Sequence, residues 1–159
     1  MKWSADPRVV LRDPVHLLAF GFGAGLMPRA PGTFGTLIAV PIVWAVMQAG
    51  WVAHVTFVVA ACIAGLYICG VSARRLGVDD HPGIVWDEIC GYAVTMLATP
   101  PTWYWLLAGF ALFRFFDILK PWPIREADHS LHGGLGIMLD DVMAGVFAAV
   151  ILYALRVWL

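Results

Sequence analysis

With 159 residues, 61% of them hydrophobic and only 13% charged, the chain departs from the soluble balance of about 45–50% apolar and about 25% charged residues, so a membrane protein is the leading class. The length suits one domain, and a formal net charge of -1 gives no footprint for nucleic acid. Cys62, Cys69 and Cys90 lie in apolar runs without metal-ligand spacing, which reads as small buried hydrophobes and not as an oxidising compartment.

The first residues carry both signs of charge and two early prolines, Pro7 and Pro14, with no apolar core after Lys2; a signal peptide is not expected. Residues 1–13 read as a polar tail, and residues 14–159 as a single helical domain. The stretch 16–26 is glycine-rich, apolar and too short to span, so it reads as a buried or interfacial helix. Residues 37–73 contain no Asp, Glu, Lys or Arg and divide near Gly50 into one short and one full-length hydrophobic helix. Residues 74–88 are polar, 89–113 are uncharged and punctuated by Thr-Pro-Pro-Thr at 99–102, 114–141 form the longest charged region, and 142–155 are again uncharged.

The expected fold is all-α, a compact multi-helix membrane bundle of about five hydrophobic helices, at 37–49, 51–73, 89–98, 103–118 and 135–155, plus a short N-terminal helix. If each of the five crosses once, the segments 1–36, 74–88 and 119–134 share one face. Apart from Arg156, every Lys and Arg lies on or near that face, which the positive-inside rule makes cytoplasmic. Trp51, Trp103 and Trp105 fall near the far-side turns, as interfacial anchors do.

The chemistry centres on residues 113–124, Phe-Arg-Phe-Phe-Asp-Ile-Leu-Lys-Pro-Trp-Pro-Ile. Arg114, Asp117 and Lys120 recur every three residues and share a helical face, and Pro121 and Pro123 stop the helix. Such a face is either an interfacial anchor or an acid flanked by two bases, as a metal-bound phosphate requires. Asp87-Glu88 and Asp140-Asp141 also stand where polar segments meet apolar helices. Each block could merely complement a helix dipole. Together, five acids beside apolar helices are costly unless paired or metal-bound, and hard cations such as Mg²⁺ prefer carboxylate oxygens.

Four further stretches bear on a phosphate site. Pro-Gly-Thr-Phe-Gly-Thr at 31–36 precedes a helix and offers Gly32, Thr33 and Thr36 either to an anion or to an ordinary cap. Gly21-x-Gly23 is followed by Leu26 where a dinucleotide fingerprint needs its third glycine. His132 opens a His-Gly-Gly-Leu-Gly run; it and His81 could donate a proton or be structural, while His16 and His54 sit outside the acidic blocks. Cys69 and Arg75 match a Cys-x5-Arg spacing, but nothing around them builds the exposed, electropositive niche that activates a thiol.

Gly-Thr-Phe-Gly-Thr at 32–36, Ile-Val-Trp-Asp-Glu at 84–88 with Gly91, the 113–124 block, and His-Gly-Gly at 132–134 through Asp140-Asp141 with Gly145 occur in order. Together they resemble the phosphatidylglycerophosphatase A family, from about Pro14 to Leu155. The resemblance implies an all-helical, Mg²⁺-dependent lipid phosphatase that converts phosphatidylglycerophosphate to phosphatidylglycerol in the bacterial inner membrane.

On that basis Asp87, Glu88, Asp117, Asp140 and Asp141 are the candidate metal ligands, with Asp117 the central one. Arg114, Lys120 and Arg125 would balance the phosphate charge, and Gly32, Thr33, Thr36 and His132 would contact the substrate. Asp117, Asp141, Glu88, Lys120 and Arg114 are the candidate catalytic residues. A metal-polarised water is the expected nucleophile, since the Asp-x-Asp signature of phospho-enzyme formation is absent. Two other classes stay open. A transporter places ionisable groups near the bilayer midplane, where these helices carry none, and an alcohol phosphotransferase needs an Asp-Gly-x2-Ala-Arg signature that is missing.

Overall fold

The computed structural model describes residues 5–159, and of residues 128 and 129 the backbone alone. Helix α1 (Pro7–Arg12) starts after Asp6, whose carboxylate accepts the Arg8 N–H at 2.8 Å. Helix α2 (Pro14–Ala19) starts after Asp13, which accepts from Val15 N–H at 2.8 Å. Asp followed by Pro provides both the cap and a pre-set first turn. Residues 7–12, expected within a polar tail, are therefore helical, and Val10 is fully buried. A 3₁₀ stretch, Gly21–Leu26, follows; left-handed backbone at Phe22 (φ 56) and Gly23 (φ 101) splits the single helix expected over 16–26.

The remaining helices are α3 (Pro31–Gln48), α4 (Trp51–Leu76), α5 (Trp86–Thr95) with a 3₁₀ turn at Met96–Ala98, α6 (Trp103–Leu119), α7 (Ile124–Ser130) and α8 (Gly133–Trp158). No strand occurs among the described residues, so the all-α expectation holds. All five hydrophobic segments are helical. Among the described residues only α3, α4 and α8 are long and apolar enough to cross a membrane; α6 has 17 residues and α5 has 10, below the roughly 20 that a bilayer needs. Helix α3 reaches 18 residues because Pro31 starts it at the Gly-Thr motif itself rather than after it.

Helix α8 packs against α4, α5, α6 and α7, and α3 covers another side of α5. Short α5 is thereby enclosed, with every residue from Ile89 to Thr95 buried. Its crossing with α8 depends on two glycines: a Cβ on Gly145 would overlap the Gly91 carbonyl, and one on Gly91 would meet the Phe113 ring at 2.5 Å and the Asp141 carbonyl at 2.6 Å. Around this crossing Tyr92, Met96, Phe113, Ala144, Ala148 and Leu152 close the core.

The start of α3, the end of α4, the start of α5, the end of α6 and the start of α8 meet at one end of the bundle. There Gly70 of α4 lies against Gly134 of α8, and Gly32 of α3 lies against Glu88 of α5. At the other end Trp51, Trp103 and Trp158 are exposed, as at a membrane interface. Trp105, expected among these anchors, faces inward instead and is 7% exposed within the core.

Candidate active site

The approach to α5 is fixed by backbone hydrogen bonds. Gly77 ends α4 in the left-handed conformation (φ 70), Ile84 N–H donates to the His81 carbonyl, and Val85 N–H donates to the Ala19 carbonyl, both at 2.8 Å. Trp86 then anchors the first turn of α5 by donating its indole N–H to the Ala61 carbonyl of α4 at 3.0 Å. The next two residues are Asp87 and Glu88. Asp140 and Asp141 lie about two turns inside α8, which puts them beside that turn instead of at a solvated helix end.

Asp87, Glu88 and Asp141 each offer a carboxylate oxygen, and these oxygens lie within 4.8 Å of one another. Asp87 Oδ1, Glu88 Oε2 and Asp141 Oδ2 are buried without a hydrogen-bond partner. Burial, then the Glu88 and Asp141 charges, holds the Asp87 carboxyl well above the usual range. Burial also pushes the Glu88 carboxyl up to about 7. Clustered acids with unpartnered oxygens are an expensive arrangement alone, and an oxygen-only donor set with excess negative charge fits a hard divalent cation. No solvation or capping role accounts for the three oxygens together.

The other two acids are engaged by cations. Arg114 Nη1 lies 2.5 Å from Asp117 Oδ2 and 3.6 Å from Glu88 Oε1, so Asp117 holds the guanidinium against the edge of the cluster. Asp117 is also a charged neighbour of Asp141. Lys120 Nζ lies 2.6 Å from Asp140 Oδ2. Of the five acids, three thus make the cluster, Asp117 borders it, and Asp140 pairs outward.

Gly32 backs directly onto this arrangement: a Cβ there would overlap Glu88 Oε1 and stand 3.1 Å from Arg114 Nη1. Thr33 is partly exposed in the same turn. Thr36 is fully buried, and its hydroxyl donates to the Gly32 carbonyl at 3.0 Å, so it braces the turn instead of facing a substrate. Arg125 is exposed on α7. His132, also exposed, lines a separate recess of about 110 Å³ with Asp79 and Asp80, away from the three-acid cluster.

The remaining candidates are structural. His81 Nδ1 accepts the Gly83 N–H at 3.0 Å, His16 Nδ1 bonds the Ser72 hydroxyl at 2.8 Å, and His54 Nε2 bonds the Ala93 carbonyl at 3.0 Å. Cys69 is fully buried against Met138. Sequence reasoning missed the parts played by Trp86 and Val85 in aiming Asp87 and Glu88; a tryptophan immediately before an acid pair was the only local signal.

The family described as Phosphatidylglycerophosphatase A matches residues 17–156. A Phosphatidylglycerophosphatase A of Escherichia coli (strain K12) is 46% identical over 150 residues, covering 94% of this chain and 87% of the relative. One from Haemophilus influenzae is 44% identical over 154 residues, covering 96% and 94%. A Bacteroides thetaiotaomicron protein, provisionally named a phosphatidylinositol-3-phosphatase, is 37% identical over 149 residues, covering 88% and 92%. No solved structure matches the chain. Full-length similarity at these identities means that the chain belongs to the phosphatidylglycerophosphatase A family.

Proposed function

We propose that the chain hydrolyses the terminal phosphate monoester of phosphatidylglycerophosphate to phosphatidylglycerol and phosphate, using Mg²⁺, at the cytoplasmic face of the bacterial inner membrane. The observation that carries this reading is the trio Asp87, Glu88 and Asp141, with three unpartnered carboxylate oxygens at one end of an apolar helix bundle. The names of the Escherichia coli and Haemophilus influenzae relatives support the choice of substrate. The concentration of Lys and Arg at the same end of the bundle supports the orientation.

Asp87, Glu88 and Asp141 would hold the ion, with Asp117 at its border. When bound, Mg²⁺ supplies Lewis acidity to a phosphoryl oxygen and acidity to a coordinated water. Arg114 spreads its donors between Asp117, Glu88 and the phosphate oxygens, and charge-assisted hydrogen bonds of this kind strengthen as negative charge develops. Asp117 keeps that guanidinium in place. The first turn of α3, bare of side chain at Gly32, lies directly against Glu88 and Arg114 and so brings a positive helix end up to the edge of the acids.

The test is phosphate release from phosphatidylglycerophosphate in detergent micelles, with and without a chelator, alongside phosphatidic acid and phosphatidylinositol 3-phosphate. Release that persists at full rate in chelator rejects the metal. Preference for the phosphoinositide rejects the substrate.

A further inference from the structure

Resting on that reading, we propose that the cleft beneath the α6–α7 turn binds the phosphodiester of the lipid headgroup, and so selects a substrate with two phosphates over one that has only the terminal monoester. Helix α6 ends at Lys120 in the left-handed conformation (φ 42), and Ile124, fully buried, pins the start of α7. Between them opens a cleft of about 910 Å³ lined by Leu119, Lys120, Trp122, Arg125, Glu126 and Ser130.

Two features tie this cleft to the carboxylates. Lys120 lines it and also bonds Asp140, and Asp140 is the chain neighbour of Asp141 in the three-acid cluster. The cleft and the cluster are therefore joined through the Lys120–Asp140 ion pair and the Asp140–Asp141 peptide of α8. In the substrate, the monoester and the diester are separated by a three-carbon glycerol, so a monoester on the acids brings the diester to the cleft.

The lining suits that group. Lys120 and Arg125 bring several N–H donors for phosphate oxygens. The Glu126 carboxylate and Ser130 Oγ, whose proton goes to the Glu126 carbonyl at 2.7 Å, can accept from the glycerol hydroxyl. On the rim, Trp122 (74% exposed), Ile118 and Leu119 present apolar surface, as an interfacial tryptophan does where acyl chains begin. Acyl chains, diester and monoester thus find apolar rim, basic cleft and acid cluster in that order.

The experiment compares wild type with Arg125→Gln and Arg125→Lys. For turnover, the ratio of kcat/KM on phosphatidylglycerophosphate to that on phosphatidic acid should fall roughly tenfold in Arg125→Gln, the factor expected for one charge-assisted hydrogen bond, and recover in Arg125→Lys. An unchanged ratio, including equal losses on both lipids, overturns the proposal. For binding, calorimetry with short-chain phosphatidylglycerol in chelator should show weaker association for Arg125→Gln than for wild type; equal affinities overturn it. Because phosphatidylglycerol carries the diester alone, this second arm stays readable even if no phosphate is released from either lipid, in which case the hydrolase reading fails and the cleft is judged separately.

Discussion

Gly32 and Glu88 touch across the α3–α5 junction with no room for a side chain between them: a methyl on Gly32 would overlap Glu88 Oε1 and approach Arg114 Nη1 to 3.1 Å. The glycine is required here by close approach, not by an unusual backbone angle, since it sits in the first turn of an ordinary helix. Gly32→Ala should therefore displace the carboxylate and the guanidinium together. Misplacing such groups by about 1 Å costs on the order of a hundredfold in rate, and overpacking costs about 1–3 kcal/mol of stability. Phosphate release and thermal unfolding in detergent measure the two. A variant with wild-type turnover would show that Glu88 does not act from this position.

The adjacent acids Asp140 and Asp141 should behave differently. Asp141→Asn removes one member of the unpartnered trio, and a loss of at least about a hundredfold in kcat is expected for an electrostatic group of this kind. Asp140→Asn instead breaks a partly exposed ion pair with Lys120, costing about 1–2 kcal/mol of stability and raising KM more than it lowers kcat. Equal losses in kcat for the two variants would remove the distinction between cluster and outward pair.

How much of this was legible beforehand differs from residue to residue. Hydropathy located every long helix, because apolar runs bounded by charge do not depend on tertiary context. It missed α1, whose capping Asp-Pro is a local signal inside a polar stretch, and it placed the α3 start six residues late, since a Pro-Gly-Thr run reads equally as a turn. The acids were visible as three blocks, yet their ranking was not. Asp117 looked central because its helical face carries Arg114 and Lys120. Which acids bring their oxygens within 4.8 Å of one another depends on how α3, α5, α6 and α8 cross, and no sequence period encodes that.

Asp117→Asn tests the place of Asp117 at the border of the cluster. The carboxamide keeps the size of Asp117 while weakening its hold on the Arg114 guanidinium, 2.5 Å away. Turnover should fall by about ten- to a hundredfold, the usual effect of removing a group that orients a ligand-binding side chain. Mg²⁺-induced thermal stabilisation should survive, because the three cluster acids remain. Loss of that stabilisation would restore Asp117 as a direct ligand.

The last expectation concerns pH without and with the ion. Glu88 titrates near 7 in the fold, raised from 4.5 mainly by burial, and Asp87 is raised for the same reason. Between pH 4.5 and 7 the folded protein therefore holds more protons than the unfolded chain, so stability falls as pH rises through that window. In chelator the melting temperature should be higher at pH 5 than at pH 8. Mg²⁺ requires the deprotonated acids and binds the folded state, so the increment in melting temperature that it produces should grow as pH passes 7 and should shrink in Glu88→Gln. An increment that is flat across this range, or larger at pH 5, would mean that the ion binds somewhere other than these carboxylates.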